Sequence, residues 1–522
     1  MMEEYNISDY EKKKNNTFTS IVLGVYVVLI GIGLPLVVKD KYFDILVTKY
    51  YYYCFCTVAM VILLVFNFLI ISWKQVKNKK RVYLKSVLKQ LTWADYSALL
   101  FLFVAGLSTF TSDYVYEAFW GNEGRFTGLF LIMWYIVSYF CIGKIWRFKI
   151  WYIDLILITG VVVSLFGITD YFKLDIFSFK ELIVVEQKKS FTSTIGNINT
   201  YTAYVGMIVA ITAVLFSKVK SLQRVFFYYI CLVISFLAII MGNSDNAFLS
   251  LGALFAFLPF YLFRNSEGIK RYIIIVATFF SVIQCINWIN GYFGDGILGI
   301  NSFFNMIVRL RGFDLVIMGL WLIVGIWYFT DYRKGKNQVE YGNTPRFFWL
   351  VLLICSALFV LYIFYDCNIV GNTEKYNSVA SYVLFNDKWG TNRGYIWRNA
   401  IDCYFDFSPW KKLVGYGPET FGIFMLQKTA KNPYNEMFDS AHNEYLHLLT
   451  TVGIAGLLSY LTFIIAVIKQ GIPFGKNNPY IIAVIFGIIC YCIQAFVNIS
   501  VPIVTPVLWL LLGIASTSTV SS

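Results

Sequence analysis

Apolar stretches long enough to cross about 30 Å of hydrocarbon as helix recur from one end of this 522-residue chain to the other. No other feature constrains the fold as strongly. Within a bilayer every backbone polar group must be satisfied internally, which leaves helices or a closed barrel. A barrel would show weakly alternating segments of about ten residues, and none appear here. Fourteen candidate spans lie at 18–38, 51–72, 95–112, 126–143, 150–168, 199–217, 225–242, 246–263, 272–290, 312–330, 347–365, 445–468, 480–497 and 501–516. Asn498, Pro502 and Pro506 leave open a count of 12 or 13, with the last two spans merged into one broken or re-entrant segment. A chain that is 58% hydrophobic and 14% charged has too little polar surface for ordinary soluble domains. The expected fold is an all-α polytopic membrane protein. Residues 1–365 hold helices 1–11 with short loops, 366–444 one long loop with short amphipathic helices, and 445–522 the C-terminal helices.

Orientation follows from the basic residues, because Lys and Arg in short loops stay on the cytoplasmic side. With the N-terminus inside, 25 of the 43 basic residues fall in cytoplasmic segments, from Lys12, Lys13 and Lys14 and the Lys74 to Lys89 loop onward. Of the others, 10 lie in short loops on the far side and 8 in the long loop, where the rule does not apply. The chain is expected to be a multi-pass protein of the cell membrane with a cytoplasmic N-terminus and an extracytoplasmic long loop. Its net charge of +13 reflects this topology and attraction to anionic headgroups, and gives no reason to expect nucleic acid as a partner. The chain has no Gly-rich phosphate loop.

Eight of the ten cysteines lie in or beside apolar spans, where Cys packs as a small hydrophobe. Cys367 and Cys403 fall in the long loop and are the one disulfide option. Neither the Cys pairs nor the two His have metal-ligand spacing, so no metal is expected.

The segment from Asp366 to His442 is polar, broken by turn signals and far longer than a connector needs to be. Asn392 is placed to cap a helix whose Ile396, Trp397, Ala400, Ile401 and Tyr404 recur at helical spacing. Gly415-Tyr416-Gly417-Pro418 reads as a tight turn, with Pro418 suited to open a second short helix through Phe421 and Phe424. A smaller loop runs from Asp170 to Asn199.

Three strings in order, RGYIWRNAI at 393–401, GYGPETFG at 415–422 and AHNEYLHLLTTVGIAG at 441–456, resemble the long loop and following helix of the O-antigen ligase and polymerase family of membrane glycosyltransferases. GNEGRFTGL at 121–129, IGNINTY at 195–201 and QAFVNIS at 494–500 resemble versions from Gram-positive bacteria. The resemblance implies metal-independent, cofactor-free transfer of a glycan from a polyprenyl-diphosphate carrier to an acceptor hydroxyl of a glycan, wall or protein. It implies that His442 occupies the family's loop-end histidine position.

The residues agree with that chemistry. A diphosphate leaving group calls for bidentate cationic donors, and Arg holds phosphate oxygens in fixed geometry better than Lys. Arg393 and Arg398 on the loop helix and Arg125 at a span end are the candidates. An acceptor hydroxyl calls for a base near working pH, and only His442 and His447 are available. Five residues apart on a helix, these two face about 140° from each other, so His447 reads as packing. The plain alternatives are an interfacial histidine for His442, lipid-phosphate snorkelling for Arg393, and a salt bridge from Arg125 to Asp113, Glu117 or Glu123. Asn443 is a helix cap or an acceptor contact. Among many interface aromatics, Trp389, Trp397 and Tyr416 stand out because they lie in the long loop.

One departure matters. Many family members carry Ser-Arg-Gly where this chain has Gly242-Asn243-Ser244-Asp245-Asn246, so either Arg125, or Arg309 and Arg311, supplies the missing charge, or the donor is gripped differently here. The competing reading is a lipid-linked oligosaccharide flippase or secondary transporter, which would place charges at mid-membrane depth and show repeats.

Overall fold

The computed structural model describes residues 17–77, 91–122, 124–300, 302–334, 339–377, 379–476 and 478–517. Lys12 to Lys14, most of the Lys74 to Lys89 loop and Glu123 lie outside the described residues. Eleven helices are long and apolar enough to cross a membrane: α1 (Thr17–Leu36), α2 (Ile45–Trp73), α3 (Trp93–Phe110), α6 (Trp151–Tyr171), α7 (Ile198–Lys218), α8 (Leu222–Met241), α10 (Ser266–Gly296), α12 (Phe313–Arg333), α13 (Thr344–Val370), α18 (Gly453–Gly475) and α19 (Pro479–Val497). Three shorter apolar helices join them: α5 (Leu129–Ile145), α9 (Asn246–Leu262) and α20 (Thr505–Ala515). Each expected span thus has its helix, and the last two are separate. Short helices α4 (Val115–Trp120), α11 (Ser302–Val308), α14 (Trp389–Asp406), α15 (Pro409–Val414), α16 (Phe421–Thr429) and α17 (Glu444–Thr451) complete the order.

The centre of the bundle is α7, which is apolar on every face and buried along its length, as such a helix must be. Its small residues Ala203, Gly206, Ala210 and Ala213 let α8, α9 and α19 approach closely. Polar contacts add specificity: Ser250 Oγ donates to Gln494 Oε1 at 2.6 Å, and Gln494 Nε2 donates to Thr202 Oγ1 at 3.3 Å. At the rim, α13 has no buried residue from Thr344 to Tyr365 and leads straight into the long loop. The Asp170 to Asn199 loop folds into a small hairpin, β1 (Phe191–Thr192) against β2 (Gly196–Asn197), pinned where the Ser193 N–H donates to Asp170 at 2.7 Å.

The long loop packs around its own small core of Ile396, Ala400, Cys403, Phe421, Phe424, Met425, Phe438, Ala441 and Leu446. Cys367 and Cys403 are both free thiols, so the disulfide option is not taken. The expected span 445–468 is broken. Gly453 at φ 76° separates α17 from α18, and the 415–417 turn seats itself in that break. Tyr416 N–H donates to Thr450 O at 3.1 Å, and Gly417 N–H to Thr451 O at 2.9 Å.

Candidate active site

Each element of the site is positioned by local chemistry in the loop. In α14 the residues Gly390, Thr391 and Asn392 have φ of 59°, 61° and 66°, so regular helix begins only at Arg393. Asn392 does not cap it: its Nδ2 donates to Glu436 at 3.2 Å instead. Pro418 does not open α16 either, because Glu419 at φ 60° turns the chain left-handed and delays the helix to Phe421.

His442 stands on a third such turn, at φ 47°, with its backbone N–H donating to Ser440 Oγ at 3.0 Å. Asn443 follows as the N-cap of α17, its Oδ1 accepting from the N–H groups of Tyr445 at 3.0 Å and Leu446 at 3.1 Å. Because His442 precedes the cap, the helical-wheel separation from His447 does not apply. Trp397 ties α14 to this turn: its Nε1 donates to Ala441 O at 2.8 Å. Trp389 packs edge-on against Trp397, with ring centroids 5.2 Å apart.

Arg125 is buried and makes a bidentate pair with Asp439, through Nη2 to Oδ1 at 2.6 Å and Nε to Oδ2 at 3.1 Å. Its partner is thus in the long loop rather than at Asp113 or Glu117. Burial alone would raise the Asp439 pKa, but the guanidinium outweighs it and holds the carboxyl below its ordinary range. Glu419 accepts from Asn122 Nδ2 at 3.1 Å and from Thr127 Oγ1, and burial pushes it up to about 7 against the pull of Arg125. These contacts lock the 121–129 segment to the long loop.

His442 lies within the field of both arginines. Burial first, then Arg125 and Arg393, push its pKa down to about 4, while Asp439 opposes them. Arg393 is itself lowered by burial and sustained by Asp245, and its Nε is buried with no hydrogen-bond partner. So the Asp that stands near the absent family arginine faces Arg393. Arg309 and Arg311 are exposed and do not figure among the charges that act on His442.

The other expected residues are placed differently. Arg398 is exposed and ion-paired to Asp387. Tyr416 packs with Phe407 and Phe424 beneath Lys411, whose Nζ lies 4.0 Å from the ring centroid. His447 stacks on Phe421 at 5.3 Å and lines a cavity of about 70 Å³ with Arg125, Thr127, Glu419, Ser440 and Glu444. The buried Nδ1 of His447 and Oε2 of Glu444 have no partner. A space of that size holds water, which such polar atoms call for. Asp439, Glu419 and His447 thus border the candidate site, although the sequence reading did not select them. The GYGPETFG string held a signal for Glu419 and the AHNEYLHLLTTVGIAG string one for His447, whereas no motif marked Asp439. Among the described residues no cluster of His, Cys, Asp or Glu has metal-binding geometry.

His442, half-buried in the field of two arginines on the polar loop, lies inside a segment that matches a known family. Residues 306–461 match the O-antigen ligase model. Over that stretch the chain is similar to the O-antigen ligase family. No curated protein sequence matches it. The matched segment contains α12, α13, the whole long loop and the first part of α18, whereas Arg125 reaches it from the helices that precede it. The chain is thus an all-α polytopic membrane protein with a segment similar to the O-antigen ligase family.

Proposed function

We propose that the chain transfers or polymerises a glycan from a polyprenyl-diphosphate carrier onto an acceptor hydroxyl at the outer face of the cytoplasmic membrane. The observation that carries this reading is the placement of His442 within the field of Arg125 and Arg393, inside the matched segment. The basic-residue bias supports the outer location of the loop.

In the transfer step the acceptor oxygen attacks the anomeric carbon of the donor sugar, and the bond from that carbon to the diphosphate oxygen breaks. The electron pair leaves with the diphosphate, and the hydroxyl proton passes to His442. Arg393 offers the unused Nε donor for a phosphate oxygen, and Arg125 keeps the Asp439 to His442 segment in place. Two nearby cations make His442 a weak base while the site is empty. A bound diphosphate neutralises them and raises the histidine pKa towards working pH, so donor binding readies the base.

The test is substitution in producing cells. His442→Ala and Arg393→Lys should each cut glycan transfer by about 10²-fold or more, with the protein still inserted and lipid-linked donor accumulating. Lysine keeps the charge but lacks the fork. Near-normal product from either variant would remove that residue from the chemistry.

A further inference from the structure

A second concavity lies on the opposite side of the 121–128 turn from Arg125. It has a volume of about 520 Å³, within the range of roughly 300–1,000 Å³ for small-molecule sites. Its floor is Tyr50 stacked on Phe126, with centroids 4.3 Å apart and planes 13° from parallel. Its walls are Tyr51, Tyr116 and Trp120, whose rings are 62%, 72% and 42% exposed. Glu117 also lines it, and the Glu117 carboxylate makes no hydrogen bond or ion pair among the described residues.

The groove and the active-site cavity share a wall. Phe126 and Asn122 line the groove, Arg125 and Glu419 line the cavity, and the Asn122 side chain donates across the wall to Glu419. A ligand in the groove would sit one turn of chain away from Arg125, whose partner Asp439 lies three residues before His442.

An interface belt of Trp and Tyr accounts for single rings at headgroup level, but not for a concavity with a carboxylate in its wall. An isoprenoid chain would press hydrocarbon against that carboxylate, which is unfavourable. A sugar suits both features. Its hydroxyls donate charge-assisted hydrogen bonds to Glu117, and its polarised C–H faces pack on the electron-rich faces of Tyr51, Tyr116 and Trp120. The geometry points to this groove as the site that holds the acceptor glycan, an inference that rests on the transfer reading above.

The full-length protein in nanodiscs, supplied with lipid-linked glycan extracted from producing cells, provides the test. The acceptor is the oligosaccharide freed from that same donor by mild acid. Tyr116→Ala and Trp120→Ala should each raise the acceptor KM roughly tenfold with the donor KM unchanged, and Trp120→Phe should recover part of the loss. Tyr116 is exposed, so its variant isolates the groove from folding. An unchanged acceptor KM overturns the inference, and so does a raised donor KM, which would make the groove an isoprenoid site. Saturation-transfer NMR of the free oligosaccharide decides the point without turnover: signal lost in Tyr116→Ala supports the groove, and signal retained in both alanine variants overturns it. If wild-type protein consumes no donor, the transfer reading fails separately.

Discussion

His442 and Glu419 carry opposite charge logic within one small site. Burial and two arginines hold His442 near 4, so it is neutral and able to accept a proton throughout the working range. Since kcat/KM reports free enzyme and kcat the complex, the acid limb of kcat/KM should fall near pH 4 and that of kcat should lie higher. Pre-steady-state and steady-state profiles against pH measure both limbs, and coincident limbs would mean that the donor does not shield the arginines. Glu419 is raised from 4.5 to about 7, so its stabilising effect is present below 4.5 and is lost as pH rises through 7. Glu419→Gln should therefore flatten the fall in melting temperature of detergent-solubilised protein between about pH 5 and 8. A slope equal to wild type would show that Glu419 is charged throughout. His442, Arg393 and Arg125 were legible as residues because only two histidines exist and because arginine suits a diphosphate. The Asp439 partner of Arg125 was not, since the two lie 314 positions apart and no local pattern links them.

At the scale of elements, apolar length encodes the helices directly, which is why every expected span has a counterpart, although the one expected at 445–468 is displaced to Gly453–Gly475 by the break at Gly453. The long loop was less legible, because its helix starts are set by left-handed residues at 390–392, 419 and 442 rather than by periodicity. The break at Gly453 belongs to the same class. A Cβ on Gly453 would lie 2.3 Å from Leu413 O, and one on Gly415 2.2 Å from Thr451 O, with both residues at positive φ. Alanine at either position forces strain of roughly 1–3 kcal/mol plus the displacement of backbone. Gly453→Ala and Gly415→Ala should undock the 415–417 turn and speed proteolysis of the long loop, whereas Gly296→Ala, with open space around it, should not. Equal digestion rates would show that the turn does not hold the loop. Trp397→Phe removes the hydrogen bond to Ala441 and should lower transfer without unfolding, by about the factor of five that a lost hydrogen bond of ~1 kcal/mol allows.

For the whole molecule, the proposed reaction requires the long loop to lie outside the cytoplasm. Asn377 is exposed on that loop, and a cysteine there should react with an impermeant maleimide in intact cells. Labelling only after permeabilisation would reverse the topology and remove the loop from the outer face. Arginines are the phosphate-facing cations in this account, so transfer should also survive EDTA; loss restored by Mg²⁺ would put a divalent ion in their place. The central claim is a bond-making reaction, and the most direct measurement is on purified protein in liposomes supplied with lipid-linked glycan. The account predicts one polyprenyl diphosphate released for each glycosidic bond formed, with both products absent for His442→Ala. Intact donor moved from one leaflet to the other, with no diphosphate released, would contradict it and leave a transporter.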